Sequence, residues 1–176
     1  MGENWYRTNE DKALKLGTLY WEADKYFFDK KTGKSLFSIR KSGNRYYGYS
    51  SGGSNATLIQ GFKNFAGKTF YFGKSNDGTG LTEGELASDW KEIDGNWYYF
   101  DSNGEMASSD WQMDYEFQWY YLNSDGKMAI GWKAIDGKAY YFNSKGIMAV
   151  GRIMIDGKSY FFSELAGRGQ FISCER

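Results

Sequence analysis

The 176-residue chain has no histidine and no proline, and it has one cysteine. Histidine is the most common general base and the most common transition-metal ligand, so its absence leaves any catalysis to carboxylates, lysine or tyrosine. The one cysteine, Cys174, can form neither an intramolecular disulfide nor a cysteine-rich metal site. We therefore expect no catalytic residues, no metal ion and no cofactor.

The chain carries no net charge, because 22 lysine and arginine side chains balance 22 aspartate and glutamate side chains. A neutral chain has no field that gathers phosphate backbones, so nucleic acid is not an expected partner. No apolar run approaches the roughly 18 residues that cross a bilayer, and residues 1–5 lack the charged and apolar regions of a signal peptide. We expect no membrane insertion, and a secreted parent protein would carry its signal peptide outside this chain.

Aromatic residues make up 20% of the chain, and glycine occupies 23 positions. Such a mixture favours short strands and tight turns over helices. A repeat of about 20 residues is visible from Asp89 onward. Four successive units read DWKEIDGNWYYFDSNGEMASS, DWQMDYEFQWYYLNSDGKMAI, GWKAIDGKAYYFNSKGIMAV and GRIMIDGKSYFFSELAGRGQ.

Each unit has the pattern of a β-hairpin. An Asp-Gly pair, such as Asp94-Gly95, supplies the positive φ angles of a two-residue hairpin turn, and the aromatic run that follows favours a pleated strand. A second turn, such as residues 101–104, returns the chain to the next hairpin. One hairpin cannot bury enough surface to stand alone, so neighbours must stack and share a core. The predicted fold class is therefore all-β, a β-solenoid of tandem β-hairpin repeats of about 20 residues.

The first half of the chain contains the same hairpin repeat in a less regular form. Aromatic runs at residues 25–28, 45–47 and 69–72 match the second strand of a hairpin, which brings the expected number to about seven hairpins. A longer stretch without such a run lies between Phe72 and Trp90. The chain is accordingly divided into degenerate hairpin repeats with an insertion near 73–88 (residues 1–88), well-formed repeats (89–170) and a tail (171–176).

A leading tryptophan, an aromatic strand, a glycine turn and a methionine recur at fixed spacing, as in Trp90, Trp97, Gly104 and Met106. This spacing resembles the choline-binding repeats of bacterial cell-wall proteins, and it is similar to the related repeats of clostridial toxins and streptococcal glucan-binding enzymes. The resemblance is specific from Asp89 to about Gln170 and loose over residues 17–88. It implies ligand sites between consecutive hairpins, each a cage of two aromatic rings from one hairpin and a third from the next, helped by a methionine. Carried onto this chain, the first cage is Trp90, Trp97, Met106 and Tyr120, and the second is Trp111, Trp119, Met128 and Tyr140.

The third ring of each cage is chosen by strand alternation. If the first aromatic of a strand faces the following unit, the ring that meets it must lie on the opposite face of the next strand. This selects Tyr120 and Tyr140, with Tyr121 and Tyr141 as the fallback. In the later units Ala139 and Ser159 replace the second tryptophan and Arg152 replaces the first, so the last junction is expected to lack a complete cage.

A simpler interpretation of these residues stays open. The paired tryptophans could fill the core that neighbouring hairpins share, and the methionines are more easily explained as core filler. Two arguments favour a ligand: the indole N–H needs a partner, and alanine is sufficient at the same place in another unit. The aspartates of the Ile-Asp-Gly segments are explained by their turns, because one carboxylate per turn does not make a calcium site.

A cage of aromatic rings suits a quaternary ammonium group, whose methyl groups prefer apolar contact while its charge is attracted to the faces of the rings. The leading expectation is a non-catalytic module, secreted to the bacterial cell surface, that anchors an extracellular protein to choline or phosphocholine groups of teichoic acid. One alternative is a carbohydrate-binding repeat domain, with glucan, oligosaccharide or cell-surface glycan as its ligand. Another is a structural spacer or a protein–protein interaction module, and a homodimer is left open.

Overall fold

The computed structural model describes residues 17–21, 24–29, 31–32, 34–50, 56–65, 67–163 and 171–175, and only the backbone of the first and last of these ranges. Residues 1–16 of the predicted first region therefore lie outside the described residues. In the described residues the chain forms fifteen β-strands and no helix. The strands are β1 Gly17–Trp21, β2 Asp24–Phe28, β3 Ser35–Ser42, β4 Arg45–Ser50, β5 Gly61–Phe65, β6 Lys68–Phe72, β7 Asp89–Ile93, β8 Asn96–Phe100, β9 Asp110–Met113, β10 Trp119–Leu122, β11 Gly131–Ile135, β12 Lys138–Phe142, β13 Gly151–Ile155, β14 Lys158–Phe162 and β15 Phe171–Glu175.

Consecutive strands pair as seven antiparallel hairpins, from β1–β2 to β13–β14. The first two hairpins join into one four-stranded sheet, whereas the hairpins from β5 to β12 each form a two-stranded sheet. The predicted fold class, an all-β solenoid of tandem hairpins, is confirmed. Residues 171–176 were expected to be a tail, but β15 pairs with β14, because an edge strand offers unpaired backbone groups to any segment that reaches it.

The predicted Asp-Gly turns have the expected backbone conformation. Both residues of each turn have positive φ, as a two-residue hairpin turn requires. The φ angles are 49°, 50° and 47° at Asp94, Asp136 and Asp156, and 73°, 74° and 76° at Gly95, Gly137 and Gly157. Strand register follows from these turns, so that Trp132 of β11 lies opposite Tyr141 of β12.

Successive hairpins are linked through the residue that follows each second turn. Its backbone forms an isolated bridge with its own hairpin, as Met128 does with Leu122 and Met148 with Phe142. Its N–H donates a hydrogen bond to the preceding hairpin. These bonds are Met106 N to Thr69 O at 2.7 Å, Met128 N to Trp97 O at 2.8 Å, and Met148 N to Trp119 O at 2.8 Å. The repeated methionine is therefore a backbone link between neighbouring hairpins.

The chain divides into two compact units, one of Met1–Gly95 with Phe100–Met106 and one of Asn96–Tyr99 with Ala107–Arg176. The core of the first unit is a cluster of phenylalanines, in which the rings of Phe27 and Phe37 stack with centroids 4.2 Å apart. The second unit has smaller clusters at successive hairpins, one around Tyr140 and Phe142 and the next around Phe162.

The insertion between β6 and β7 is an ordered loop in the first unit, held by Asp77. The Asp77 carboxylate accepts hydrogen bonds from the Tyr71 hydroxyl at 2.7 Å and from the Lys74 backbone N–H at 2.8 Å, and it also accepts bonds from Thr79. Although partial burial acts in the opposite direction, these bonds lower the pKa of Asp77 to about 2. These internal hydrogen bonds explain why the loop is ordered.

Candidate functional site

The first junction of the second unit is built around Trp111 of β9. Its half-buried indole lies opposite Tyr121 in the hairpin register, with ring centroids 5.1 Å apart. On the next hairpin it contacts Tyr140 at 5.1 Å and Phe142 at 5.9 Å, both on β12. Aromatic rings meeting edge to face at such distances are favourable, so Trp111 joins the two hairpins.

Trp119, the first residue of β10, stands at a right angle to Trp111. The two indole centroids are 6.3 Å apart and the rings are 84° from parallel. Both residues are half-buried, so solvent reaches part of each indole at this junction. We call this pair the ring corner.

The third ring predicted for this cage is in contact with Trp111. Tyr140 lies 5.1 Å from Trp111, whereas the fallback residue Tyr141 contacts Trp132 of its own hairpin at 5.3 Å. Tyr140 is only 5% exposed, however, and belongs to the core cluster of this junction. It therefore lies behind the ring corner and supports Trp111, while Tyr121 is the additional half-buried ring beside it.

Met128, the predicted methionine of this cage, lies over the next hairpin's second turn. A Cβ atom built on Gly146 would come within 2.3 Å of the Met128 sulfur, so Met128 covers the open side of this glycine. The buried Met148 belongs to the same core cluster as Tyr140, with Trp111 and Trp119 packed against that cluster. Sequence reasoning missed Met148 because it assigned each methionine to its own unit and not to the unit before.

The second junction repeats this packing around Trp132 of β11. Trp132 contacts Tyr160 at 5.1 Å and Phe162 at 5.7 Å, both on β14. Its own hairpin carries Ala139 where Trp119 stands in the first junction. Trp132 is 44% exposed, and this junction has one indole and no ring corner.

The other predicted cage is divided between the two compact units. Trp90 and Met106 belong to the first unit, and Trp97 and Tyr120 belong to the second. Trp97 is an exposed residue of β8, and its carbonyl accepts the Met128 N–H. This set stays a prediction.

Tyr120 is held by polar contacts with the tip of its own hairpin. Its hydroxyl donates a hydrogen bond to Asp114 Oδ2 at 2.9 Å. Burial, together with this bond, raises the pKa of Tyr120 to about 12. Backbone N–H donation from Gln118, followed by the Tyr120 hydroxyl, lowers the pKa of Asp114.

Two other kinds of site find no support in the described part of the chain. No three His, Cys, Asp or Glu side chains among the described residues are grouped closely enough to hold a metal ion. Nor do these residues include a helix with the length and apolar character that a membrane span requires.

Tandem hairpins joined by aromatic contacts define a hairpin-repeat module. The profile described as choline-binding repeat matches residues 87–130 and 129–168. The predicted resemblance to choline-binding repeats is therefore confirmed over residues 87–168. No curated protein sequence matches the chain significantly.

Several solved structures resemble a larger part of the chain. Choline binding protein F from Streptococcus pneumoniae is 28% identical over 95% of this chain and 55% of its own length, with a TM-score of 0.62. CbpJ from Streptococcus pneumoniae is 25% identical over 96% of this chain and 49% of its own, with a TM-score of 0.60. The pneumococcal cell-wall endolysin from phage Cp-1, solved with choline, is 30% identical over 64% of this chain and 30% of its own, with a TM-score of 0.50. The chain thus spans about half the length, or less, of these proteins.

Proposed function

We infer that the chain is a non-catalytic module that binds a quaternary ammonium group, such as choline, at the ring corner of the first junction. The observation that carries this inference is the perpendicular pair Trp111 and Trp119, half-buried and 6.3 Å apart. The hairpins themselves need only one of these indoles, because the second junction packs in the same way with Ala139 in place of the other. The additional indole is best explained by a ligand.

The chemistry of the corner fits such a group. Methyl groups of a quaternary ammonium make apolar contacts with the indoles, while its charge is attracted to the electron-rich faces of the rings. Each cation–π contact contributes about 0.5 to 2 kcal/mol, so a single corner binds weakly. Several such sites facing a polymer that carries many ligand groups would bind much more tightly than one.

The ligand in place is proposed to be choline or phosphocholine of a bacterial cell-wall polymer such as teichoic acid. In this view the chain anchors an extracellular protein to the cell surface. The endolysin solved with choline supports this proposal, as does the match of residues 87–168 to the choline-binding repeat. Trp111, Trp119, Met128 and Tyr140 form the proposed site.

The test is a choline titration of the full chain, followed by tryptophan fluorescence and by thermal unfolding. A ligand that binds only the folded state raises the unfolding midpoint, and the rise grows with ligand concentration. We expect a saturable fluorescence change and a higher midpoint in the millimolar range. If neither changes up to high millimolar choline, the proposal fails.

Two analogues separate the contributions of charge and methyl groups. 3,3-Dimethyl-1-butanol has the shape of choline without its charge, and ethanolamine has a charge without the methyl groups. Because the corner is expected to use both, each analogue should raise the midpoint less than choline at the same concentration. An equal effect of the uncharged alcohol would show that the corner is merely apolar.

A further inference from the structure

The tip of hairpin β9–β10 differs from those of the other three hairpins between β7 and β14. Those three turn on two residues, after an isoleucine that is buried in each: Ile93, Ile135 and Ile155. Hairpin β9–β10 instead turns on residues 114–118, and Asp114 stands where the isoleucine is expected. The apolar filling of the tip is thus replaced by a carboxylate.

Asp114 organises this tip into a fixed turn. Its Oδ1 accepts backbone N–H groups of Glu116 and Gln118, both at 2.9 Å. Asp101 holds the second turn of the preceding hairpin in the same way, with bonds of 2.8 Å from the N–H groups of Asn103 and Glu105. The β9–β10 tip is therefore an ordered turn of a type that the chain uses elsewhere.

The turn exposes two aromatic rings that its scaffold does not explain. Tyr115 is 96% exposed and Phe117 is 77% exposed. Phe117 has a φ of 62° at the place where the second turns carry a glycine, such as Gly104. A bulky residue in the left-handed region is strained. The Tyr115 ring gains no burial within the chain, so its presence indicates a contact outside the chain.

A pocket of about 410 Å³ lies beside the exposed Tyr115. Hairpin β9–β10 contributes Asp114, Tyr115, Glu116, Gln118 and Tyr120 to its lining, and the second turn of the next hairpin contributes Lys145 and Ile147. Its volume is within the range of about 300 to 1,000 Å³ found for small-molecule sites. All these residues belong to the second compact unit.

We propose that this pocket binds a neutral pyranose ring of a polysaccharide chain. One face of such a ring carries C–H groups, which pack on the Tyr115 ring and on Ile147. The hydroxyl groups on its rim both donate and accept hydrogen bonds, and the lining supplies a carboxylate (Glu116), an amide (Gln118) and an ammonium group (Lys145) for them. An anion is disfavoured, because Asp114 and Glu116 face the single lysine.

This sugar site is separate from the ring corner. It uses neither Trp111 nor Trp119, and it concerns a different class of ligand, so it goes beyond the proposed function and can fail or hold independently of it. Two sites on one unit would let the chain grip a glycan and an ammonium group of the same cell-wall polymer together.

The test is an NMR titration of the isotopically labelled full chain with a tetramer of N-acetylglucosamine and, separately, a tetramer of glucose, both in saturating choline. We expect at least one tetramer to bind and to shift the amide signals of residues 114–118 and 145–147. Tyr115→Ala should weaken this binding about fivefold to tenfold, as loss of one aromatic contact would. Lys145→Ala should weaken it about threefold, as loss of one hydrogen bond would.

Phe117→Gly is the matched control, because Phe117 is exposed on the same tip but does not line the pocket. It should leave the sugar affinity unchanged, and Tyr115→Ala should keep the choline response and the unfolding midpoint. The proposal is overturned if neither tetramer binds, if Tyr115→Ala binds as the parent does, or if Phe117→Gly weakens binding as much as Tyr115→Ala. A failure of choline binding alone would sink the proposed function and leave the sugar site standing.

Discussion

The first and second junctions of the second unit share the contacts of their leading tryptophan and differ in whether a second indole is present. Trp111 meets Tyr140 and Phe142 at 5.1 and 5.9 Å, and Trp132 meets its counterparts on β14 at 5.1 and 5.7 Å. Only the first junction adds a second indole, where the second has Ala139. The leading tryptophan is thus a structural contact, and the tryptophan of the following strand is the residue that turns a joint between hairpins into a candidate site.

The largest expected effect on stability comes from Gly146→Ala, which perturbs the first junction and leaves the second in place. Gly146 has a φ of 77°, and an added Cβ would meet the Met128 sulfur at 2.3 Å. We expect the free energy of unfolding to fall by about 1 to 2 kcal/mol, mainly from backbone strain, with a smaller cost for moving the flexible Met128 side chain. Denaturant unfolding measures this loss.

Gly137→Ala is the control for that variant. Gly137 has a similar φ of 74°, but a Cβ there would have no heavy atom within 4 Å. It should therefore cost only the backbone term, about 1 kcal/mol. Equal losses for the two glycines would show that the contact with Met128 has no energetic weight.

Trp119→Ala converts the first junction into the second, and its main effect should be on the ligand. Loss of one indole removes about 1 to 2 kcal/mol of cation–π contact, so choline affinity should fall about tenfold. Isothermal titration calorimetry measures the affinity. Phe161→Ala, at an exposed ring of β14, is the control and should bind choline as the parent does. If Trp119→Ala retains full affinity, the ring corner is not the site.

Ala139→Trp is the reverse exchange, because it gives the second junction the second indole that it lacks. We expect one additional weak choline site and a larger rise in the unfolding midpoint at saturating choline. The gain should be about 1 kcal/mol or less, since the surrounding side chains have not been selected for the new indole. Unchanged stoichiometry in calorimetry would show that a second indole alone does not make a site.

The smallest expected effect is on the pH dependence of stability. It comes from the tip of hairpin β9–β10, where Asp114 occupies the place of Ile135 in hairpin β11–β12. The pKa of Tyr120 is raised to about 12 from an unfolded value of about 10, so its contribution to stability is complete below pH 10 and is lost as the pH rises through 12. Tyr120→Phe should therefore flatten the decline of the unfolding midpoint across this interval. Tyr115→Phe, at a ring that is 96% exposed, should leave the decline as it is. Identical pH profiles for the parent and Tyr120→Phe would contradict the Asp114 contact.

Sequence alone could predict those features that depend on local chemistry. The Asp-Gly pairs determine the two-residue turns, and strand alternation selects Tyr140 over Tyr141 as the ring that meets Trp111. Features that depend on packing between repeats could not be predicted in this way. The position of Met128 over Gly146 follows from the backbone of the next hairpin.

The tip at residues 114–118 and strand β15 were missed for similar reasons. In the tip, one aspartate replaces an apolar residue. The repeat pattern is still recognisable on both sides of it, so the pattern does not reveal the different turn. The pairing of Phe171–Glu175 with β14 joins segments that carry no shared motif. Nonlocal pairing of this kind leaves little trace in composition or spacing.

The backbone link between hairpins lets amide hydrogen exchange report on the opening of a single junction. The Met148 amide proton is donated to the Trp119 carbonyl, at the edge of the ring corner, and the Met128 amide to that of Trp97, one hairpin earlier. Each amide can exchange with solvent deuterium only when its own junction opens. Exchange at Met148 thus reports how firmly one pair of hairpins is closed, and a bound ligand should slow it more than exchange at more distant links.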